Sequence, residues 1–495
     1  MSNVSGLSPG GASPSNPLVH TLLGAGRRTP RKVAIYSAAG EMTFGRLEEL
    51  SAQLAHALVE DYGVARGARV AVHEAASANV LALNVACARV GALFVPLNTA
   101  YTDREVLELL DDCEPVLLVR EAALATSVAR ATLGELVDAA RDRPGVFGDE
   151  VTDESTPAAM LFTSGTTGRP KGAVLTQGNL VFGCVTLTRE WAIDADDVLV
   201  HVLPLFHVHG LFVAAYCALA SGASLRLLGG FDVDRVIEAL PASTVLMGVP
   251  THFTRLLGDE RFDAAVTASM RLFVSGSAPM LVSTHEEFFA RTGHRILERY
   301  GMTETGMITS NPLRGERRVG TVGTALPGVA VRVEGPSPGV VQVRGPNVFA
   351  GYWKRPDLTE TEFTPDGYFI TGDVGVLDAD GYLEIVGREK DLIITGGLNV
   401  YPKELELIID AFPGVLESAV VGVPDADFGE AVTAVVVAHP DAHLDVDDLR
   451  ERARAAMAPF KVPKRFVVVP ALARNTMGKV QKSEIRRDLA TRPPR

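Results

Sequence analysis

The sequence is poor in cysteine, has more acidic than basic residues, and contains no long apolar run. Cysteine occurs four times in 495 residues, at Cys87, Cys113, Cys184 and Cys217, and never in CxxC spacing. We expect these to be reduced core residues of a cytoplasmic protein rather than a disulfide framework. The formal net charge of −13 disfavours nucleic acid and anionic membranes as partners. No segment has the apolar length that spans a bilayer.

Several common catalytic motifs are also missing. Pro170 and Gly172 flank Lys171, so the lysine and hydroxyl pair of a Walker loop is absent. No GxGxxG motif occupies the first strand–helix turn. The GxSxG at residues 6–10 has Pro9 after its serine, and proline cannot supply an oxyanion N–H. The sequence therefore predicts neither a Walker-type NTPase, a dinucleotide enzyme nor a serine hydrolase.

From about residue 40 the sequence alternates helix-like and strand-like segments. Apolar residues recur at helical spacing in TFGRLEELSAQLAHALVEDY and ANVLALNVACARV. Short apolar runs occur in ARVAVHE, ALFVPLN, DVLVHVLPLF, ASLRLL, ASTVLMGVP and MRLFVSGSAP. Because strands that are apolar on both faces belong in parallel sheets covered by helices, we predict an α/β fold of layered sheets.

Three other parts of the chain differ in texture. Residues 1–17 are rich in Ser, Gly and Pro and lack the features of a signal peptide, so we expect a disordered tail. Past residue 316, short strands punctuated by Gly and Pro predict a small β-rich unit, with DADG at 378–381 as a hairpin turn. The remainder alternates helices and strands again, which predicts a separate small α+β domain.

The stretch LFTSGTTGRPKGAVLTQGNL, residues 161–180, supports two interpretations. Its hydroxyls, glycine N–H groups and one cation can wrap a β- or γ-phosphate without a Walker helix. The same composition also suits a Gly/Thr surface turn. Taken alone, these residues leave both interpretations open.

Three further stretches accompany this loop: RYGMTET at 299–305, YFITGDVG leading to LNVYPKELE within 368–406, and RNTMGKVQK at 474–482. With FTSGTTGRPKG they resemble, in order and spacing, the acyl-adenylate-forming (AMP-binding) family of acyl-CoA synthetases, adenylation domains and luciferases. The resemblance covers essentially the whole chain after the tail. Within that family, LPLFHVHGLF, TVLMGVPTHFTRLL and RLFVSGSAPML look most like malonyl-CoA synthetases.

The resemblance implies a division of the chain into two domains. An AMP-binding N-terminal domain of layered, mixed and parallel sheets with helices would cover residues 18–389, with 316–389 as its small β-barrel-like part. A small mobile α+β C-terminal domain would cover residues 390–495. Its hinge would lie at Lys390, and Gly396 and Gly397 would let the backbone approach the pantetheine of CoA; a simple hairpin turn is the other interpretation of these glycines.

The resemblance also implies a reaction. In this family a carboxylate and ATP give an acyl-adenylate and pyrophosphate, and the acyl group then passes to the thiol of CoA. ATP, Mg²⁺, coenzyme A and a small-molecule carboxylate are therefore the expected cofactors and partners, whereas the oligomeric state is left open. Such phosphoryl chemistry depends on positioning and charge stabilisation more than on a covalent nucleophile.

Site residues follow from the family motifs. Lys479, Glu304 and Thr163 are implied to be catalytic, with Lys479 reaching the α-phosphate and Glu304 binding Mg²⁺; outside the family context both would be ordinary surface residues. The implied ATP-binding residues are Thr163, Ser164, Gly165, Thr166, Thr167 and Lys171 for the β- and γ-phosphates, Tyr300 and Gly301 beside adenine, Thr303 at the α-phosphate, and Asp373 and Arg388 at the ribose.

Arg299 carries the prediction of the substrate. It is implied to lie at the floor of the acyl pocket, where a buried guanidinium without a counter-charge is costly. Malonate, or a close short dicarboxylate such as methylmalonate, has a second carboxylate that an arginine fork can bind. The implied pocket residues are Arg299, His207, Ser277, Thr251 and Met307, with His209 behind His207.

Several alternatives remain open. Arg299 could pair with a protein acid such as Glu298, or point to solvent. The acid could be a short or medium monocarboxylate, or the acyl acceptor a carrier protein instead of CoA. Gly306 and Ile308 differ from the residues associated with malonyl-CoA synthetases, which leaves malonate and methylmalonate undistinguished. A metal site built from His207 and His209 is disfavoured because no acidic or cysteine cluster accompanies them.

Overall fold

The computed structural model describes residues 16–163, 170–395, 398–425, 428–475 and 478–491. Most of the predicted tail, residues 1–15, lies outside the described residues. The first helix begins at Pro17, and the Asn16 side chain accepts the N–H of Val19 at its N-terminus. The described fold therefore starts two residues before the predicted domain boundary at 18.

The first part of the chain alternates strands and helices as predicted. The second helix begins after Thr43, whose side chain accepts the N–H of Arg46, and ends at Gly63 with φ of 64°. The elements are α1 (Pro17–Arg28), β1 (Val33–Ser37), β2 (Gly40–Thr43), α2 (Phe44–Tyr62), β3 (Arg69–Val72), α3 (Ala78–Val90), β4 (Leu93–Pro96), α4 (Asp103–Cys113), β5 (Leu117–Val119), β6 (Ala129–Ala131), α5 (Leu133–Ala140) and β7 (Pro157–Thr163).

The next part continues the alternation with one irregular helix. Residues His209–Ala215 form a π-helical segment that runs directly into an α-helix. The elements are β8 (Lys171–Thr176), α6 (Gln177–Glu190), β9 (Val198–His201), α7 (Tyr216–Ser221), β10 (Ser224–Leu227), α8 (Val233–Ala239), β11 (Val245–Gly248), α9 (Pro250–Leu257), β12 (Leu272–Ser275), α10 (Val282–Thr292), β13 (Leu297–Met302) and β14 (Gly306–Ser310).

A small β-rich segment follows and leads into the C-terminal part. The β-rich elements are β15 (Thr324–Ala325), β16 (Ala330–Glu334), β17 (Gly339–Arg344), β18 (Gly351–Tyr352), α11 (Pro356–Thr361), β19 (Phe369–Leu377) and β20 (Leu383–Arg388). The later elements are β21 (Ile393–Thr395), β22 (Leu398–Val400), α12 (Pro402–Asp410), β23 (Val415–Asp425), β24 (Gly429–Ala438), α13 (Val446–Ala456), β25 (Arg465–Val468) and α14 (Lys482–Thr491).

Two large sheets carry the predicted parallel strands. One has the order β15-β14-β13-β12-β11-β9-β10-β1-β2, with parallel pairing from β1 through β13 and antiparallel strands at both edges. The other has the order β18-β8-β7-β4-β3-β5-β6 and pairs β7 with β8 in antiparallel fashion. This confirms the α/β prediction of layered, mixed and parallel sheets.

Smaller sheets complete the fold. Strands β16-β17-β19-β20 form a four-stranded antiparallel sheet in the predicted β-rich unit. Leu377 pairs with Leu383, which confirms the predicted DADG hairpin between β19 and β20. In the C-terminal part, β23 and β24 pair antiparallel while β25 pairs parallel to β24, and helices α12, α13 and α14 accompany them, giving the predicted α+β unit.

The N-terminal hydrophobic core ends, and the C-terminal hydrophobic core begins, near the predicted hinge. Within the described residues, Leu383 is the last member of the N-terminal clusters and Ile393 is the first member of the C-terminal ones. Lys390 lies between them, in the single 3₁₀ turn Glu389–Asp391. The predicted boundary at 390 therefore falls where one hydrophobic core ends and another begins.

The cysteine and membrane expectations can be compared with the fold. All four cysteines are buried and unpaired, and burial raises the pKa of Cys113 to about 12. They are core residues, as predicted. Among the described residues, no helix has both the length and the hydropathy needed to cross a bilayer.

Candidate active site

Glu304 lies in the turn between β13 and β14, and the fold brings it to the end of β7. Thr163 Oγ1 donates a hydrogen bond to Glu304 Oε1 at 3.3 Å, and the hydroxyl of Tyr352 donates to the same oxygen at 3.1 Å. The residue is only 6% exposed, and burial raises the pKa of its carboxyl above the ordinary value. No ion pair to Glu304 occurs within the described ranges. A buried carboxylate served by neutral donors has room for a cation among its partners.

The phosphate loop is described only at its two ends. Ser164, Gly165, Thr166 and Thr167 lie outside the described residues. Thr163 ends β7, and Lys171 begins β8 directly opposite it in the strand register. The Lys171 ammonium lies 3.3 Å from Glu362 Oε1 and 4.9 Å from the centre of the Tyr352 ring. The one described cation of the loop therefore rests on an acidic partner that a phosphate group would have to replace.

The β19–β20 hairpin assembles the predicted ribose site. Asp373 and Arg388 are cross-strand partners, and Arg388 Nε lies 2.6 Å from Asp373 Oδ1. The hydroxyl of Tyr300, on β13, donates to Asp373 Oδ2. Burial, followed by the neighbouring Asp373 charge, raises the pKa of Tyr300, so the phenol stays protonated. Three residues predicted from separate motifs are thus held in one hydrogen-bonded cluster.

Gly301 and Thr303 lie beside this cluster on the β13–β14 hairpin. A Cβ built on Gly301 would come within 2.0 Å of the carbonyl oxygen of Gly306 and 2.7 Å of the Met307 Cε. Only glycine fits there. Thr303 lies in the turn next to Glu304, so the hairpin carries the predicted adenine, α-phosphate and Mg²⁺ residues in sequence.

Arg299 precedes Tyr300 on β13 and is 3% exposed. Its Nε and Nη2 have no hydrogen-bond partner, and no acidic side chain pairs with it within the described residues. The neighbouring Glu298 instead bonds His285, with 2.8 Å between Oε1 and Nε2. Burial lowers the pKa of Arg299 to about 9, which still leaves the guanidinium charged at neutral pH. Neither the pairing with Glu298 nor a solvent-facing position, both left open by the sequence, is observed.

His209 lies near this guanidinium, and other buried histidine and serine side chains lie in the same part of the fold. Ser277 Oγ lies 3.4 Å from His209 Nδ1, and the positive charge of Arg299 reinforces the effect of burial in lowering the pKa of His209. Burial lowers the pKa of His207 to about 4. Buried atoms without a hydrogen-bond partner include His207 Nε2, His209 Nε2 and Ser275 Oγ. The pocket therefore offers one permanent cation and several unused neutral polar groups.

His207 and His209 both have a buried ring nitrogen without a hydrogen-bond partner. Across the described ranges, no three His, Cys, Asp or Glu side chains are arranged to hold a metal ion. That the two histidines are not metal ligands remains a prediction. Their unused nitrogens are available to a polar ligand instead.

Thr251 and Met307 lie at different borders of the same region. Met307 is buried on β14, opposite Gly301 in the strand register. Thr251 lies in the first turn of α9, and a Cβ built on Gly478 would be 3.0 Å from its Oγ1. Gly478, in the C-terminal part of the chain, thus lies in contact with Thr251. The roles of Thr251 and Met307 as pocket walls remain predictions.

Lys479 follows Gly478 and extends into the cleft beside the ribose cluster. Its backbone is fixed by Asn475, whose Oδ1 accepts the Lys479 N–H at 2.9 Å. The side chain is accessible to solvent, yet surrounding protein atoms lower its pKa, and the positive Arg388 adds to that effect. Asp373 acts in the opposite direction. The structure therefore brings this lysine, predicted from the far end of the sequence, to Asp373 and Arg388.

The predicted hinge and CoA residues are described in part. Burial and the Arg388 charge lower the pKa of Lys390, and its neighbour Asp391 pairs with Arg486 of α14 at 2.8 Å. Gly396 and Gly397 lie outside the described residues. Their contribution to CoA binding remains a prediction.

Sequence reasoning missed two residues that contact the predicted site. Tyr352 bonds Glu304 and underlies Lys171, and Glu362 pairs with Lys171. Tyr352 belongs to the short strand β18, which lies next to β8 at the edge of its sheet. The only signal in the sequence was an aromatic pair, Tyr352 and Trp353, after a glycine, which does not distinguish a site residue from a core residue.

The described geometry comprises a buried carboxylate and a Tyr–Asp–Arg cluster next to a lysine of the C-terminal part, as the sequence predicted for a site that binds an adenine nucleotide. The comparison with known families agrees. Residues 24–353 match the AMP-binding enzyme family, and residues 404–479 match the AMP-binding enzyme C-terminal domain. The chain belongs to the AMP-binding enzyme family, which confirms the resemblance found in the sequence.

Individual relatives are similar over most of their length. A malonate–CoA ligase of Arabidopsis thaliana is 36% identical over 482 residues, covering 87% of this chain and 79% of the relative. A feruloyl-CoA synthase of an Amycolatopsis species is 34% identical over 480 residues, covering 93% and 96%.

Solved structures extend the comparison. The ATP-bound crystal structure of MatB from Rhodopseudomonas palustris is 45% identical, covers 96% of this chain and 99% of its own, and superposes with a TM-score of 0.93. The apo structure of the same protein has the same identity and coverage but a TM-score of 0.81. The present arrangement is therefore more like the ATP-bound than the apo structure of that relative.

Proposed function

We propose that this protein is an ATP-dependent acid–thiol ligase that joins malonate, or a close short dicarboxylate such as methylmalonate, to coenzyme A. The observation that carries the proposal is the buried Arg299 guanidinium, which has free donors and no acidic partner in the described part of the chain. Such a charge is costly unless a ligand neutralises it. The similarity to a malonate–CoA ligase supports the same substrate.

Malonate suits this pocket because its two carboxylates have separate tasks. One is activated at the nucleotide, and the other accepts the Arg299 fork. His207, neutral because burial lowers its pKa to about 4, and Ser277 offer further hydrogen bonds without adding charge. An acid with only an alkyl chain would leave Arg299 unpaired. The pocket contacts thus favour the dicarboxylate over the monocarboxylate alternative.

The first half-reaction forms the acyl-adenylate. A carboxylate oxygen of malonate attacks the α-phosphorus of ATP, and the bond to the bridging oxygen of pyrophosphate breaks. Tyr300, Asp373 and Arg388 would hold the nucleoside, and the Lys479 ammonium would stabilise the negative charge that develops at the α-phosphate. Lys171 and the threonines of the loop would bind the leaving pyrophosphate.

Mg²⁺ fits the donors present at Glu304. Mg²⁺ prefers one or two carboxylates together with phosphate oxygens, and Glu304 with the Thr163 hydroxyl supplies oxygen ligands only. Glu304 would hold the ion, and the bound ion would neutralise charge on the phosphates. A buried carboxyl that has only neutral hydrogen-bond donors is consistent with this assignment.

The second half-reaction transfers the acyl group. The thiolate of CoA attacks the acyl carbon of the adenylate, the bond between that carbon and the phosphate oxygen breaks, and AMP leaves. Lys479 must withdraw to admit the thiol, and rotation of the C-terminal domain about Lys390 would provide that movement. CoA is the acceptor that the family resemblance supports, and a carrier protein is the alternative to be tested.

The test is AMP formation with free CoA and a panel of malonate, methylmalonate, acetate, butyrate and octanoate. We expect the dicarboxylates to be preferred and Arg299→Ala to lower kcat/KM for malonate by about 30-fold to several thousand-fold, the range for truncating one partner of a buried charge pair. Butyrate turnover should change much less. Arg295→Ala, which removes an exposed arginine in the loop between α10 and β13, is the matched control.

Three results would contradict the proposal. A preference for malonate that survives in Arg299→Ala would assign the guanidinium a structural role. A monocarboxylate that outperforms malonate in the unsubstituted protein would overturn the substrate assignment. Activity only with a carrier protein, and none with free CoA, would replace the acceptor.

A further inference from the structure

Gly276 lies directly against the guanidinium of Arg299. A Cβ built on Gly276 would be 2.5 Å from both Cζ and Nη1 of Arg299 and 2.7 Å from its Nε. Ordinary carbon contacts begin near 3.4 Å, so a methyl group and this guanidinium cannot occupy the same place. The guanidinium fills the volume that any side chain at position 276 would need.

The strand register explains this proximity. Strands β12 and β13 run parallel, and Ser275 pairs with Glu298. Continuing that register by one residue places Gly276, the first residue after β12, opposite Arg299 on β13. Neighbouring strands are roughly 4.8 Å apart, so a long side chain on one strand reaches the backbone beside it. The contact therefore lies where β12 ends next to β13.

The backbone of Gly276 does not itself require glycine. Its φ lies outside the left-handed region, whereas the next residue, Ser277, has φ of +71°. An alanine at 276 would thus be free of backbone strain, and the three atoms nearest to its Cβ would all belong to Arg299. This separates the role of the missing side chain from the usual role of glycine in turns.

Arg299 is enclosed by protein. It is 3% exposed, its Nε and Nη2 are unpartnered, and its charge acts on the buried His209, whose Nδ1 lies 3.4 Å from Ser277 Oγ. Displacement from 2.5 Å to an ordinary contact would move the guanidinium by roughly 1 Å. Bidentate binding of a carboxylate depends on both the position and the plane of the fork.

We propose that Gly276 is a specificity-determining residue, which admits the Arg299 guanidinium to the pocket floor and thereby selects acids with a second carboxylate. This inference rests on the proposed function. Because Gly276 has no side chain, the Arg299 guanidinium can lie at the pocket floor. The position of the guanidinium then determines which acids bind productively. Gly276 acts through Arg299 and contributes no group of its own.

The test compares Gly276→Ala, Arg299→Ala and the double variant with malonate and butyrate. We expect Gly276→Ala to lower kcat/KM for malonate by about 10- to 100-fold, because a misplacement of about 1 Å has effects of that order. Butyrate, which does not use the guanidinium, should change less than threefold. Gly183→Ala is the matched control, since a Cβ at this position in α6 meets nothing within 4 Å.

The double variant distinguishes the two possible causes. If Gly276 acts through Arg299, the double variant should match Arg299→Ala within a factor of about two, because the effects are not additive when one residue acts through the other. Full additivity would overturn the inference, since the methyl group would then act on the pocket without the guanidinium. An unchanged malonate preference in Gly276→Ala would overturn it as well.

Two further outcomes, failure of the proposed function and failure of Gly276→Ala to fold, can be distinguished from the outcomes above. If Arg299→Ala itself leaves malonate preference intact, the proposed function fails, and Gly276 loses its role with it. If Gly276→Ala alone does not fold, thermal unfolding of the double variant decides: removing the guanidinium should restore folding. A double variant that also fails to fold would show that the methyl group conflicts with something other than Arg299, which overturns the inference.

Discussion

Arg299 is 3% exposed and Arg388 is half-buried, and the two arginines differ in their partners. Arg388 is paired with Asp373 at 2.6 Å, whereas Arg299 has no acidic partner among the described residues. Burial opposes the charge of both. At Arg388 nearby acidic groups, Asp373 foremost, outweigh burial and raise the pKa, whereas at Arg299 burial acts alone and lowers the pKa to about 9. The charge of Arg388 is balanced within the protein, and we propose that the charge of Arg299 is balanced by a ligand.

The difference shows how one strand serves two binding functions. Arg299 and Tyr300 are consecutive on β13, so their side chains leave opposite faces of the sheet. One face reaches the pocket of unused histidine and serine groups, and the other reaches the ribose cluster. The proposed acyl and nucleotide sites therefore share one strand, although the charges at the two sites are balanced by different groups.

Substitution of Lys479 should have the largest effect on the comparison of the two arginines. Lys479 is a third cation, comes from the C-terminal part of the chain, and, among the described residues, is neither ion-paired like Arg388 nor buried like Arg299. We expect Lys479→Ala to slow adenylation by about 10²- to 10³-fold, the effect of removing one preorganised electrostatic group. Transfer from preformed malonyl-adenylate to CoA should be nearly unchanged. Pyrophosphate release and adenylate consumption measure the two half-reactions separately.

The matched control is Lys464→Ala, which removes an exposed lysine of the same domain. Equal loss in both half-reactions would contradict a role confined to adenylation. It would indicate that Lys479 maintains the fold of its domain instead.

Asp373→Asn would convert the paired arginine into one that resembles Arg299. The change removes a charge from the Arg388 pair and weakens the acceptor of the Tyr300 hydroxyl, and it removes an acceptor for ribose. We expect KM for ATP to rise by about 10- to 100-fold, since hydrogen bonds to charged groups contribute about 1.5–3 kcal/mol each. KM for malonate should change little, because Arg299 is separate.

Asp378→Asn on the same hairpin is the control, since Asp378 is exposed and pairs with Arg318 at 2.8 Å. A rise in KM for malonate equal to that for ATP would break the comparison. It would mean that the two arginines belong to one coupled site.

The sequence predicted the regular elements well because their periodicity is local. Apolar runs identified β9 through β12, and helical spacing identified α2 and α3. The DADG turn identified the β19–β20 hairpin, whereas the pairing of Asp373 with Arg388 across it was not predicted. Family motifs supplied the other site residues, and the structure brings Thr163, Glu304, Tyr300, Asp373 and Lys479 to one cleft.

The remaining features depend on contacts between distant strands. The hydrogen bond from Tyr352 to Glu304 and the pair of Lys171 with Glu362 join residues 48 and 191 positions apart. The proximity of Gly276 to Arg299 requires the β12–β13 register, which no local pattern gives. That Glu298 pairs with His285, leaving Arg299 free, also became evident only once helix α10 was placed beside β13.

A pH profile tests the smallest difference, that between Lys479 and the arginines. Partial desolvation by the surrounding protein, as the larger cause, and the Arg388 charge, as the smaller one, lower the pKa of Lys479 below its ordinary value of 10.5. Adenylation requires the charged ammonium, which is lost as pH rises through the pKa, so kcat/KM for ATP should fall on the alkaline side and begin to do so below pH 10.5. Lys479→Arg should move this fall to higher pH, because an arginine in the open cleft stays protonated. An alkaline fall that is identical in Lys479→Arg would assign the titration to another group, with Lys390, whose pKa is lowered for the same reasons, as the next residue to substitute.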